Sequence, residues 1–169
     1  MALSMYDASI PVLSRVLTNL SAILDKAAAS AEARKIDPAV FIAARLAPDM
    51  FPLSRQVQVV SDTARRGACL LAGLEVPSWP DTETSFPELK ARLEKTLTFL
   101  KTIRPDQIDG SEERTITMPI GGGNEMKLPG QAFLFNFVFA NCFFHAATAY
   151  AILRHNGVDI GKRDFLGGA

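Results

Sequence analysis

Apolar residues recur at every third or fourth position over three long stretches of the chain, the spacing that places them on one face of an α-helix. The clearest stretch covers residues 5–29, and its apolar positions are Ile10, Leu13, Leu17, Leu20 and Leu24. A second stretch, residues 52–72, ends before Gly73, which is suited to the left-handed conformation at a helix end. A third, residues 86–103, follows Ser85-Phe-Pro-Glu88, a sequence typical of a capping box. These stretches are predicted to be the first three long helices.

Two smaller elements are predicted between the long helices. Asp37 is a suitable N-cap, and Pro38 a suitable first residue, for a short helix that reaches about Leu46. Residues 115–118 and 125–128 flank a glycine-rich turn, a pattern that predicts a two-stranded hairpin. Because two strands alone are only marginally stable, we expect this hairpin to pack against the helices.

The fourth long stretch, residues 130–156, is apolar on nearly every side of its predicted helix. Such a helix is either buried in a bundle or crosses a bilayer. Asn136, Asn141, His145 and Thr148 interrupt its apolar surface. Because three amphipathic helices are also available to cover it, burial is predicted and no membrane partner is expected. Any face that these neighbours leave open should meet a second subunit, which predicts a homodimer.

The composition is that of one ordinary folded domain, predicted to span residues 1–169. Apolar residues make up 48% of the chain and charged residues 21%, which is far from the composition of disordered proteins. Eighteen basic residues balance eighteen acidic ones, so nucleic acid is not expected as a partner. Cys69 and Cys142 lie in apolar helical stretches, and no basic, apolar leader precedes Arg15. Buried, reduced thiols in a cytoplasmic protein are therefore expected.

The first candidates for chemistry lie in the fourth helix. Asn141 and His145 are one turn apart and point the same way. An imidazole beside a carboxamide inside a bundle could bind a metal ion or orient a polar ligand. The other interpretation is a buried histidine satisfied by hydrogen bonds to its neighbours. No second histidine stands at metal-ligand spacing from His145.

Two further residues allow both a ligand-binding and a structural interpretation. Trp79 lies between two prolines and is either a lid over a pocket or a plug for one end of the bundle. Arg163 belongs to the tail sequence Lys162-Arg-Asp-Phe165. It either binds an anionic substrate at a pocket mouth or belongs to a tail that is pinned to the bundle and carries a solvated salt bridge.

Three segments carry a resemblance to a known family: Asn141-Cys-Phe-Phe-His145 through Ala151-Ile-Leu-Arg-His-Asn-Gly157, the ending Gly157-Val-Asp-Ile-Gly-Lys-Arg-Asp-Phe-Leu-Gly167, and the run Leu46-Ala-Pro-Asp-Met-Phe-Pro-Leu-Ser-Arg-Gln56. The first resembles the last helix of the DinB/YfiT-like four-helix bundles. The other two are similar to a branch of that superfamily classed as a domain of unknown function. The resemblance implies an all-α, up-down-down-up four-helix bundle, with the short helix between helices one and two and the hairpin before helix four.

The resemblance also implies a place for a metal. In the wider family, a histidine near helix two and an H-x-x-x-H pair on the last helix bind a divalent metal, and some members transfer low-molecular-weight thiols or act as hydrolases. Here His145 matches the second histidine of the pair, Asn141 takes the place of the first, and helix two contains no histidine. A single imidazole seldom holds zinc or nickel, and a carboxamide oxygen is a poor ligand for either. No cofactor is therefore assigned, and a divalent metal at His145 is the alternative.

Two residues near the start of helix two also have two interpretations. Asp49 and Gln56 would supply oxygen ligands in a rebuilt metal site, or else Asp49 caps the helix and Gln56 faces solvent. The predicted function is a DinB-like, noncatalytic or metal-site-degenerate dimeric module that binds a small molecule. The alternative is a metal-dependent hydrolase or thiol transferase, with His145 in the active site and a pocket between helices two and four. The sequence leaves open whether the protein is an enzyme.

Overall fold

Four long helices, three short ones and a β-hairpin make up residues 4–168, the part of the chain that the computed structural model describes. In chain order the elements are α1 (Met5–Ala33), α2 (Pro38–Ala43), α3 (Leu53–Ala72), α4 (Phe86–Leu100), α5 (Pro105–Ile108), β1 (Thr115–Gly121), β2 (Asn124–Pro129), α6 (Gly130–Ala132), a π-helical segment (Phe133–Phe139), α7 (Ala140–His155) and α8 (Lys162–Leu166). The helix α6, the π-helical segment and α7 are continuous and form the fourth long helix, Gly130–His155.

Contacts between the first and third long helices show that they are antiparallel. Asp25, late in α1, forms an ion pair with Lys90, early in α4. At the other end, the backbone N–H of Tyr6 at the start of α1 donates to Asp109, which follows α4 and α5, over 2.9 Å. The chain therefore runs up along α1 and down along α4.

The second and fourth long helices complete the arrangement. Gln56, in the first turn of α3, contacts His145 in α7, whereas Gly67, near the end of α3, packs against the π-helical segment, so these helices are antiparallel. Arg34, just after α1, donates to the carbonyl of Asn156, just after α7, over 2.8 Å, so α1 and α7 end together. The predicted up-down-down-up four-helix bundle is confirmed.

The predicted apolar stripes meet in one continuous core. Fully buried side chains from all four long helices include Leu13, Leu17, Leu24, Leu53, Val57, Val60, Leu89, Leu93, Ile152 and Leu153. The hairpin joins this core through Ile116 and Met118, as expected for two strands that need support. Gly73 ends α3 with a φ of 68°, the left-handed conformation predicted for it.

Several element boundaries differ from the prediction. Helix α1 continues to Ala33, because the residues after 29 include no glycine or proline and Ala31 is buried in the core. Helix α2 stops at Ala43 instead of about Leu46, since Ala44 is extended and its carbonyl accepts from the N–H of Leu53 over 2.9 Å. This hydrogen bond holds the end of α2 beside the start of α3. The third long helix ends at Leu100, three residues before the predicted end.

The fourth long helix is only partly enclosed. It is long and apolar enough to cross a membrane, the only such helix within residues 4–168, and 44% of its most apolar window is buried. The bundle covers one side of it, while Phe135, Phe143 and Phe144 are exposed on the other. The other three long helices therefore leave one face of this helix open. The homodimer predicted for the open face stays a prediction.

Candidate functional site

His145 and Gln56 are hydrogen-bonded to each other between α7 and α3. The Nδ1 atom of His145 lies 2.6 Å from Oε1 of Gln56. Gln56 is almost completely buried, and its Nε2 donates to the carbonyl oxygen of Phe51 over 3.0 Å. The Phe51 ring stacks near the imidazole, with ring centroids 6.5 Å apart and an interplanar angle of 22°. The interpretation of Gln56 as a solvent-facing residue is therefore wrong, because its side chain is buried and its carboxamide bridges the Phe51 carbonyl and the His145 ring.

The partners of Gln56 fix the tautomer of His145. The Phe51 carbonyl can only accept a hydrogen bond, so the NH₂ group of Gln56 must face it and the carboxamide oxygen must face the ring. Because that oxygen also only accepts, Nδ1 of His145 carries the proton and Nε2 keeps its lone pair. Burial lowers the pKa of His145 below its ordinary value, and the charge of Arg55 lowers it further. The ring is thus neutral at neutral pH.

Asn141 does not join His145 in a shared polar site. Its Nδ2 donates to the carbonyl of Phe137 in the π-helical segment over 2.8 Å. Asn141 instead lines a cleft of about 270 Å³ between α3 and the π-helical segment, which we call the α3–π cleft. The walls of this cleft are Arg55, Val59, Asp62, Thr63, Arg66, Gly67, Phe133, Phe137, Val138 and Asn141. A pocket between helices two and four is present, as predicted, but His145 does not line it.

The other residues predicted to bind a ligand are dispersed. Asp49 is exposed and does not cap α3, whose N-cap is Pro52 and has no side-chain cap bond. Arg163 is exposed in α8, where the neighbouring Asp164 pairs with Lys26 over 2.6 Å. Neither Asp49 nor Arg163 lines the α3–π cleft.

Trp79 packs against cations on α3 and α4. The guanidinium carbon of Arg65 lies 4.1 Å from its ring centroid, and Nζ of Lys95 lies 4.2 Å from it. Trp79 also lines a second cleft, of about 330 Å³, with Glu83, Arg92 and Lys95 among its walls. Its segment is held to the bundle by ion pairs.

A network of charged residues between α3, α4 and the Trp79 segment was not anticipated. Its centre is Arg92, whose side chain is 2% exposed and pairs with Asp62 at 2.7 Å, Asp81 at 2.8 Å and Glu83 at 2.9 Å. Burial alone lowers the pKa of Arg92, but its hydrogen bond to Glu83 and the charge of Asp62 outweigh that effect and raise it. Arg55 also pairs with Asp81. These pairs fasten the segment to the bundle.

Comparisons with known proteins agree with this fold. The profile of DUF1993, described as a domain of unknown function, matches residues 5–166. The chain belongs to the DUF1993 family. Its structure superposes on the crystal structure of a DinB family member protein from Shewanella denitrificans with a TM-score of 0.90 and 40% sequence identity, covering 97% of this chain and 92% of that chain. A search of curated proteins found no match. The resemblance to a DinB-like domain of unknown function is thus confirmed.

The donor atoms of this DUF1993 chain do not fit the divalent metal that the DinB-like fold implies. Within residues 4–168, no three side chains of histidine, cysteine, aspartate or glutamate come together in a group that could hold a metal ion. The carboxamide oxygen of Gln56 is already used by the Nδ1–H of His145, and the amide of Asn141 donates to a backbone carbonyl. His145 Nε2 remains as one nitrogen donor, which is seldom enough for zinc or nickel.

Proposed function

We propose that this DUF1993 protein is a noncatalytic, cytoplasmic, dimeric module that binds a small molecule in the α3–π cleft. The observation that carries the proposal is the cleft itself. It combines two arginines, a carboxamide and two phenylalanine rings in a space of about 270 Å³, close to the lower limit for ligand pockets. The mixture of apolar walls and a few polar groups is typical of small-molecule sites.

The local backbone supports a binding role for this cleft. One wall is the π-helical segment, a conformation that is rare in proteins and frequent at functional sites. This wall carries Phe133 and Phe137, whose stacked rings have centroids 5.7 Å apart. These rings give the cleft apolar surface for a ligand.

The chemistry of the potential nucleophiles supports a noncatalytic role. Burial raises the pKa of the Cys142 thiol to about 12, so it stays protonated and unreactive at neutral pH. Burial also raises the pKa of Cys69, and both cysteines are free and buried, as a reducing compartment would allow. Neither thiol is suited to group transfer.

The aromatic surface of the fourth long helix supports the dimer. Phe135, Phe139 and Phe143 follow one another at helical spacing, with successive ring centroids 5.6 and 5.5 Å apart. We call these three residues the aromatic stripe. The helix carries no charged residue before Arg154, so two copies of this face can meet without burying an unpaired charge. A second copy of the chain therefore suits this surface better than a charged partner does.

The decisive experiment is elemental analysis of protein purified without an affinity tag, combined with native mass spectrometry. The proposal predicts a dimer that holds no stoichiometric zinc or nickel. Stoichiometric metal that is lost in the variant His145→Ala would overturn the noncatalytic part. A monomer at micromolar concentration would overturn the dimer.

One observation favours the alternative, a hydrolase or transferase that uses His145. Its Nε2 keeps a lone pair on a neutral ring that Gln56 holds in place, the state that a general base requires. Hydrolysis of a panel of ester, amide and thioester substrates by the wild type, abolished by His145→Gln, would favour this alternative. Equal background rates for both proteins would exclude His145 as a base for these substrates.

A further inference from the structure

Arg66 has no ion-pair or hydrogen-bond partner within the described part of the chain, although it is half-buried and lies next to a network of charges. The nearest carboxylate along the helix, Asp62, is already shared. Its Oδ1 accepts from Arg65 and from Arg92, each over 2.7 Å. A half-buried guanidinium usually has a carboxylate or hydrogen-bond partner, which offsets the free-energy cost of removing its charge from water. Arg66 has no such partner among residues 4–168.

The charges around the cleft leave one positive charge in excess. The network and the adjacent Arg66 together contribute four arginines, Arg55, Arg65, Arg66 and Arg92. The network contains three carboxylates, Asp62, Asp81 and Glu83. Every carboxylate is paired with an arginine other than Arg66. The chain as a whole is neutral, so this excess is local.

Arg66 stands where two clefts meet. It lines the α3–π cleft, and with Asp62 it also lines a cleft of about 430 Å³ between α3, residues 76–78 and β1. On the first side it faces the same space as Phe133 and Phe137, whose rings are stacked with an interplanar angle of 13°. The guanidinium and the rings together offer a charged end and an apolar end within one cavity.

We infer that Arg66 anchors the carboxylate of a small organic monoanion whose aromatic or branched apolar body lies against Phe133 and Phe137 in the α3–π cleft. This inference rests on the proposed function and names its ligand class. A planar guanidinium matches a carboxylate in geometry and can bind it through two parallel hydrogen bonds. A monoanion balances the single excess charge, whereas a dianion would place a second negative charge near Asp62.

The test is isothermal titration calorimetry with four probes that each carry one phenyl ring, are similar in size and differ in charge. The probes are phenylacetate, phenylacetamide, phenyl phosphate and 2-phenylethylamine. Phenyl phosphate is largely a dianion at pH 7.5, since the second phosphate pKa is about 6. Backbone amide shifts of Gly67 and Asn141 in NMR spectra locate each probe in the cleft.

Phenylacetate should bind at least about tenfold more tightly than each of the other three probes, the ratio expected for one charge-assisted pair. The variant Arg66→Gln should lose that preference, and Arg66→Lys should restore part of it. Arg15→Gln is the matched control, because Arg15 is an exposed arginine in the middle of α1. It should behave as the wild type does.

The outcomes separate this inference from the proposed function. If phenylacetamide or 2-phenylethylamine binds in the cleft as tightly as phenylacetate, the cleft is a ligand site but the anion assignment is wrong. If phenyl phosphate binds most tightly, the monoanion assignment is wrong. If no probe shifts Gly67 or Asn141 at millimolar concentration, both the inference and the cleft as a ligand site fail. The probe series uses the wild-type chain, so it is decisive even if a variant does not fold.

Discussion

Gln56 and His145, 89 residues apart in sequence, are joined by a hydrogen bond of 2.6 Å that connects the second and fourth long helices. The bond fixes the imidazole as its Nδ1–H tautomer and occupies the carboxamide oxygen that was a possible ligand in a rebuilt metal site. The resemblance to DinB-like bundles implied metal-binding histidines near helix two and on the last helix. Here α3 and α7 carry a glutamine and a histidine that satisfy each other.

The first prediction concerns the pH dependence of stability. The folded protein holds the pKa of His145 below the ordinary value of 6.5, through burial and the charge of Arg55. As the pH falls from about 7, the unfolded chain takes up a proton at this residue near pH 6.5, before the folded protein does. The free energy of unfolding should therefore decrease with falling pH in this window, measured as urea midpoints at pH 7.5 and 5.5.

The variant His145→Gln should lose this part of the pH dependence. His155→Gln is the matched control, since His155 is exposed at the end of α7, and it should keep the wild-type slope. An identical decrease in His145→Gln and in the wild type would show that other groups cause it.

The second prediction concerns the buried ion-pair network. Replacing Arg92 by leucine leaves Glu83 without its ion-pair partner and removes one of the two arginines that pair with Asp62, and should lower the free energy of unfolding by about 3 kcal/mol. Arg104→Leu is the matched control, because the pair of Arg104 with Asp106 is exposed on both sides, and it should have little effect. Chemical denaturation measures both. Equal effects of the two substitutions would mean that the network does not support the fold.

The third prediction concerns the close approach of α3 and the π-helical segment. A Cβ atom at Gly67 would lie 2.7 Å from Cγ1 and 2.8 Å from Cγ2 of Val138, which is too close for an undisturbed structure. Gly67→Ala should destabilise the protein by about 1–3 kcal/mol, despite the helix propensity that alanine adds. Adding Val138→Ala to the same chain should recover part of the loss. Gly161→Ala has no atom within 4 Å of its new methyl group and should be tolerated.

The fourth prediction concerns the aromatic stripe. Phe135 and Phe143 are 43% and 40% exposed, and replacing both by serine removes apolar surface without changing the core. Sedimentation velocity should show a dimer for the wild type and a monomer for this double variant. Val40→Ser removes an exposed apolar side chain from α2, away from the stripe, and should leave the dimer intact. A dimer that survives the double substitution would place the interface elsewhere.

The bundle could be predicted because its apolar residues are spaced regularly. Leu53, Val57 and Val60 mark the buried face of α3, and the same pattern marks α1 and α4. The same pattern indicates that Gln56 is buried, contrary to its interpretation as a solvent-facing residue. Gln56 stands three residues after Leu53 and four before Val60, so it lies on the buried stripe, where a carboxamide needs partners.

The π-helical segment and the charged network could not be predicted in this way. Phe133–Phe139 is apolar except for Asn136, so its pattern has no period that could distinguish π-helical from α-helical hydrogen bonds. The network joins Asp62 on α3 with Arg92 on α4, 30 residues apart, through side chains that in sequence resemble an ordinary solvated face. Only the fold shows that Arg66, beside this network, has no partner among residues 4–168.

The most direct measurement of the central claim is a long-range ¹H–¹⁵N NMR spectrum of the imidazole of His145, recorded at pH 7.5 before and after one equivalent of Zn²⁺. We expect a neutral ring with the proton on Nδ1, and ring nitrogen shifts that do not change when zinc is added. Stoichiometric movement of the Nε2 resonance on addition of zinc, reversed by a chelator, would contradict it.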